Sequence, residues 1–126
     1  MCKEIISHSG GYTPGSNDVV LNNMPAGSFS NVNLAVIVSD RSALVAYASE
    51  PLPHNVAKTL YDKGAGCVVG LKNAYNDSQK NDFLKGFFTN LLNGQTAYNA
   101  ALNAADAYLN SNTDFIIYGN STFTLN

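Results

Sequence analysis

Apolar positions in this 126-residue chain follow two rhythms. One is the short unbroken run: "EIIS", "LAVIV" at Leu34–Val38, "CVVGL" and "FIIYG" are each bounded by Gly, Pro, Asn, Asp or Ser. Such runs read as strands covered on both faces. The other rhythm is helical. Val56, Ala57, Leu60 and Tyr61 recur on one face, as do Phe83, Leu84, Phe87, Phe88, Leu91 and Leu92, and then Ala97, Ala101, Ala104, Ala105 and Tyr108. Spacings of three and four residues place each set on one side of a helix. "DVVLNN" reads as a minor hairpin arm.

Punctuation agrees with these runs. Gly64 closes a first helix of about three turns, and "NAYNDS" offers N-cap residues for the second. Gly94 ends that helix and Thr96 caps the third. The order strand, strand, helix, strand, two helices, strand predicts an α/β fold. We expect a three-layer sandwich whose sheet is mainly parallel, its last strand open to antiparallel pairing, built as a single domain over residues 1–126. The stripe of Phe83, Phe88 and Leu92 is expected in its core.

Charge and cysteine usage narrow the partners. Seven basic residues against nine acidic ones, with a net charge of −2 and no basic block, argue against nucleic acid. The two cysteines, Cys2 and Cys67, have no metal-ligand spacing, and Cys67 inside "GCVVGL" reads as an inert buried thiol. No cofactor is called for. No window approaches the roughly 18 apolar residues that span a bilayer, and the start lacks a basic region ahead of an apolar one. A cytoplasmic protein without a membrane partner is expected, unless the chain is the tail of a longer exported one.

Few residues carry candidate chemistry. Where Leu34–Val38 stops, Ser39-Asp40-Arg41 forms a polar loop, the place where α/β folds put their chemistry. Ser39 there is a cap or turn residue, or one half of a Ser-His dyad. Asp40 is a local ion pair with Arg41 or a cap. His8, at the end of the first strand and beside glycines, is a general base if a nucleophile faces it, and otherwise a solvated loop histidine. His54 reads as a surface residue.

The pieces in order resemble the C-terminal part of the caspase-like cysteine peptidases, particularly the CHAT domains and their gingipain-like relatives. "EIISHSGG" is similar to that family's strand ending in His and glycine, and "LAVIVSDRS" occupies the place of the strand bearing its nucleophilic Cys. "LYDKGAGCVVGL", "FFTNLLNGQTAYNAALNAADAY" and "IIYGNSTFTLN" resemble its later helices and closing strand. The resemblance implies a caspase-like sheet lacking the first two strands, with His8 and the Ser39-Asp40 segment side by side at neighbouring strand ends. It also places Asp40, or Ser39 with a shift of one residue, where the family carries its thiol, and on resemblance alone it makes Asp40 a candidate site for a substrate ammonium. A carboxylate cannot form the acyl-enzyme that a thiolate forms from a peptide bond.

Two functions are therefore expected from the resemblance. One is a catalytically inactive pseudo-peptidase acting as an interaction or scaffold module. The other is a degenerate hydrolase that uses His8 with Ser39 or with a nucleophile from another chain. Small-ligand binding at the strand ends is a third class. The strand Lys3–Ser7, with Ile5 and Ile6 unguarded by charge and only Leu34–Val38 left to pair with it, is expected to join a protein partner or a second copy.

Overall fold

The computed structural model describes residues 5–6, 19–20, 23–40, 42–43 and 55–125. Five strands and three helices follow in the order β1 (Ile5–Ile6), β2 (Val19–Val20), β3 (Ala35–Ile37), α1 (Val56–Asp62), β4 (Cys67–Leu71), α2 (Asp77–Leu92), α3 (Ala97–Tyr108) and β5 (Phe115–Gly119). β3, β4 and β5 form one sheet with β4 central: β3 runs parallel to β4 and β5 antiparallel to it. The expected mainly parallel sheet is thus a mixed one, and the last strand takes the antiparallel option.

β1 and β2 form a separate two-stranded parallel sheet, Ile5 opposite Val19 and Ile6 opposite Val20. This corrects two expectations. "DVVLNN" is not a hairpin arm, since hairpin strands run antiparallel. The first strand pairs with β2 and not with Leu34–Val38, so one of its edges is met from within the chain. Lys3, Glu4, Ser7 and His8 lie outside the described residues.

β4 explains why the sheet has helices on both faces. Side chains alternate along a strand, and all five residues of β4 are buried. Cys67, Val69 and Leu71 join the cluster containing Phe83, Phe87, Leu91 and the α3 alanines. Val68 points the other way, to Ala43, Ala57 and Ala65 beneath α1. Phe83, Phe87 and Leu91 are fully buried, each worth about 1.5–3 kcal/mol in removal from water.

The helix ends lie where local chemistry puts them. Asn76 caps α2 by accepting the Gln79 N–H at 2.8 Å, and Gln79 Oε1 accepts the Asn76 N–H in return, a capping box. Gly94, at φ 91°, ends it. Thr96 caps α3 through the Asn99 N–H, while the Ala97 and Tyr98 amides donate to the carbonyls of Phe123 and Ser121. The closing segment therefore satisfies donors that any helix start leaves open.

Three helical readings need correction. α1 has seven residues, two turns and not three. On α2 the buried stripe is Phe83, Phe87 and Leu91, whereas Phe88 and Leu92 are 40% and 74% exposed. Tyr61 and Tyr108 also reach solvent; Tyr61 stacks on Tyr118, and Tyr108 lies over Gly86. No described helix is long and apolar enough to cross a membrane.

Candidate functional site at the carboxyl ends of β3 and β4

β3 and β4 are neighbouring parallel strands whose following connections leave to opposite faces, one to α1 and the other to α2. Chains diverging in this way open a crevice beyond the strand ends, the usual ligand position in α/β sheets. Ser39 and Asp40 stand there, both exposed. Val38, Ser39, Asp77, Lys80 and Asn81 line an open cleft of about 490 Å³.

Asp40 is built into the frame of this cleft. Its Oδ1 accepts the backbone N–H of Tyr75 at 3.2 Å and faces Lys80 Nζ, also at 3.2 Å. Lys80 lies 3.5 Å from Asp77 as well. The bond to Asp40 is the main cause that holds the Lys80 ammonium above its ordinary pKa. Asp40 was expected to pair with Arg41, which lies outside the described residues; its described ionic partner is Lys80, on a helix distant in sequence.

Behind Asp40, Tyr75 is buried and donates its hydroxyl to Asp114 Oδ2. Burial, reinforced by Asp114, pushes the phenol up to about 12. This hydroxyl is a permanent donor near neutral pH, tying the β4–α2 loop to the start of β5.

A second polar group secures the loop after β3. Ser42 is 2% exposed; its hydroxyl donates to the Ile37 carbonyl at 2.7 Å and accepts the Leu71 N–H at 2.9 Å. The side chain thus bridges two strand ends. Asn55, also buried, caps α1 through the Lys58 N–H at 2.9 Å and donates Nδ2 to Tyr118 Oη at 2.7 Å. Sequence reasoning passed over both residues. The signal available for Asn55 was its N-cap position ahead of Val56-Ala57; Ser42 offered none.

Cys67 is fully buried among α2 and α3 side chains, and burial pushes its thiol up to about 11. It begins β4, at the end of the strand away from Ser39 and Asp40. A thiol in that environment stays protonated and shielded. The expectation of a buried Cys67 is met.

The structure thus brings together Ser39, Asp40, Asp77 and Lys80. His8 lies outside the described residues, and the strand before it belongs to a different sheet from β3. Among the described residues no group of three His, Cys, Asp or Glu side chains is placed to hold a metal ion. The chemistry on display is hydrogen bonding and weak electrostatics, with one exposed hydroxyl, Ser39. No protein-family model, no curated protein and no solved structure matches the chain.

Proposed function

We propose that this chain is a caspase-like α/β domain without peptidase chemistry, working as an interaction or scaffold module. The observation that carries the reading is the engagement of Asp40. On the resemblance Asp40, or Ser39 with a shift of one residue, takes the place of the peptidases' nucleophile, and the Asp40 carboxylate holds the Tyr75 amide and the Lys80 ammonium. A carboxylate used in this way organises the loop. Attack on a peptide carbonyl would require it to give up both partners and form a mixed anhydride in place of a thioester. Cys67, with its raised pKa and its position under two helices, supplies no substitute.

The alternative, a hydrolase, draws on one observation: Ser39 is exposed on the lining of the cleft. It needs His8 as general base, or a nucleophile from another chain.

Peptide-amide reporters with basic, acidic and apolar residues before the scissile bond, together with a fluorophosphonate probe for activated serines, test the choice. The expected result is no turnover and no labelling. Turnover that disappears in both Ser39→Ala and His8→Ala would replace the module with the hydrolase.

A further inference from the structure

The connection from α2 to α3 begins with Asn93 and Gly94, the one Asn-Gly pair in the sequence. An asparagine can lose its side-chain amide to its own backbone when the nitrogen of the next residue attacks Cγ. A Cβ on that next residue hinders the approach, and glycine has none. Every other asparagine that has a successor is followed by a residue with a Cβ.

Local bonding fixes several asparagines and leaves this one loose. Asn76 Oδ1 accepts the Gln79 N–H, and Asn120 Oδ1 accepts the Thr122 hydroxyl. Asn90 donates Nδ2 to the Ala100 carbonyl, Asn103 to Gln95 and Asn55 to Tyr118. Asn93 is exposed and caps the carboxyl end of α2 through its backbone N–H, which donates to carbonyls of the last turn. Among the described residues nothing holds its side chain. Gly94, exposed beside it at φ 91°, donates its N–H to the Leu91 carbonyl at 3.1 Å. The reaction must open that bond, and the end of a helix is where opening costs least.

We infer that Asn93 is a modification site, deamidated spontaneously in the folded protein ahead of every other asparagine. The deprotonated Gly94 nitrogen bonds to Asn93 Cγ, the bond from Cγ to Nδ2 breaks, and ammonia leaves a cyclic imide. Water then opens the ring at either carbonyl. One opening gives aspartate; the other gives isoaspartate, in which the main chain runs through the former side-chain carbonyl. Either product sets a carboxylate at the negative end of the α2 dipole, in a last turn that holds no basic residue. Isoaspartate also lengthens the main chain just before Gly94 and Gln95, whose amides bond the carbonyls of Leu91 and Asn90. Deamidation therefore loosens the joint between α2 and α3. The inference is independent of the reading of the chain as an interaction module.

Incubation of the full chain under native conditions at mildly alkaline pH tests it. Peptide mapping by mass spectrometry locates each new acid, and methyl transfer by an isoaspartyl methyltransferase reports isoaspartate. Conversion at Asn93 is expected to exceed severalfold that at Asn110 and Asn120, each followed by serine. Isoelectric focusing should show an early species with one negative charge added to the formal −2, absent from Asn93→Gln. Separated by ion exchange, that species should melt below the parent. An acid appearing first at another asparagine, or an early acidic species that persists in Asn93→Gln, overturns the inference. A deamidated species that melts with the parent overturns the loosening of the joint. The mapping is made on the unsubstituted chain, so it decides the site even if Asn93→Gln weakens the fold.

Discussion

The Lys80 ammonium sits 3.2 Å from a carboxylate oxygen of Asp40, forty positions earlier in the chain. The contact fastens the loop after β3 to the first turn of α2. Asp40 is about half exposed, and pairs of that kind are screened by salt. Lys80→Met should lower the thermal midpoint slightly at low ionic strength, with the gap to the parent closing in molar NaCl. Because its folded pKa is raised, the stabilisation from Lys80 is complete below the ordinary lysine value of about 10.4 and is lost as pH climbs through the folded one. Melts between pH 6 and pH 8 should accordingly show the same gap.

Ser42 should matter far more than its neighbour Ser39. Ser42→Ala strips partners from the Ile37 carbonyl and the Leu71 amide at once. A buried backbone group left unsatisfied costs about 1–3 kcal/mol, so urea unfolding is expected to show a loss of about 2–3 kcal/mol. Ser39→Ala, at an exposed site, should stay within about 0.5 kcal/mol. Equal effects would show that the hydroxyl bridge does not hold the strand ends.

Two glycines make opposite predictions. A Cβ at Gly70 would lie 2.7 Å from the Cβ atoms of both Ala43 and Ala57, where a short rigid contact on the α1 face has no room to yield. Gly70→Ala should cost about 1–3 kcal/mol as overpacking. At Gly86 the same atom meets the edge of the Tyr108 ring at 2.7 Å, on a half-exposed side chain that can swing. Within a helix, alanine regains about 1 kcal/mol over glycine, so Gly86→Ala should fall near neutral. Chemical unfolding of the pair distinguishes them.

Alkaline stability carries the signature of Cys67. Burial raises its thiol from 9.0 to about 11. A group raised in the folded state contributes stability that is complete below its unfolded pKa and lost as pH rises toward the folded one. Stability should decline from about pH 9 to pH 11, less steeply in Cys67→Ala, with Tyr75 adding to the decline from about pH 10 upward through its own rise to about 12. In the native state Cys67 should react with thiol reagents only as fast as the protein opens. Rapid labelling before unfolding would place it outside the core.

Much of the architecture was legible in the order of residues because its causes are local. Asn76 and Thr96 start helices through bonds to amides three residues on, and Gly64 and Gly94 supply the positive φ that ends α1 and α2. The unbroken apolar run of β4 announced burial on both faces, and it is fully covered. Cys67 was readable for the same reason.

What only the tertiary structure decided involves partners far apart in sequence. Spacing on α2 admits two adjacent stripes, Phe83-Phe87-Leu91 and Leu84-Phe88-Leu92; packing against α3 and β4 chose the first and left Phe88 and Leu92 in solvent. Ser42 binds Leu71 across 29 positions and Asn55 binds Tyr118 across 63. No local pattern encodes such pairs, because either residue alone reads as a turn or cap. Asp40 meets Lys80 across forty positions for the same reason. The strand pairings belong here too: a backbone edge is equally complementary to any extended neighbour, so the sequence determined that β1 and β3 are strands, while assembly of the chain decided that β1 lies beside β2 and that β3 has only β4 among the described residues.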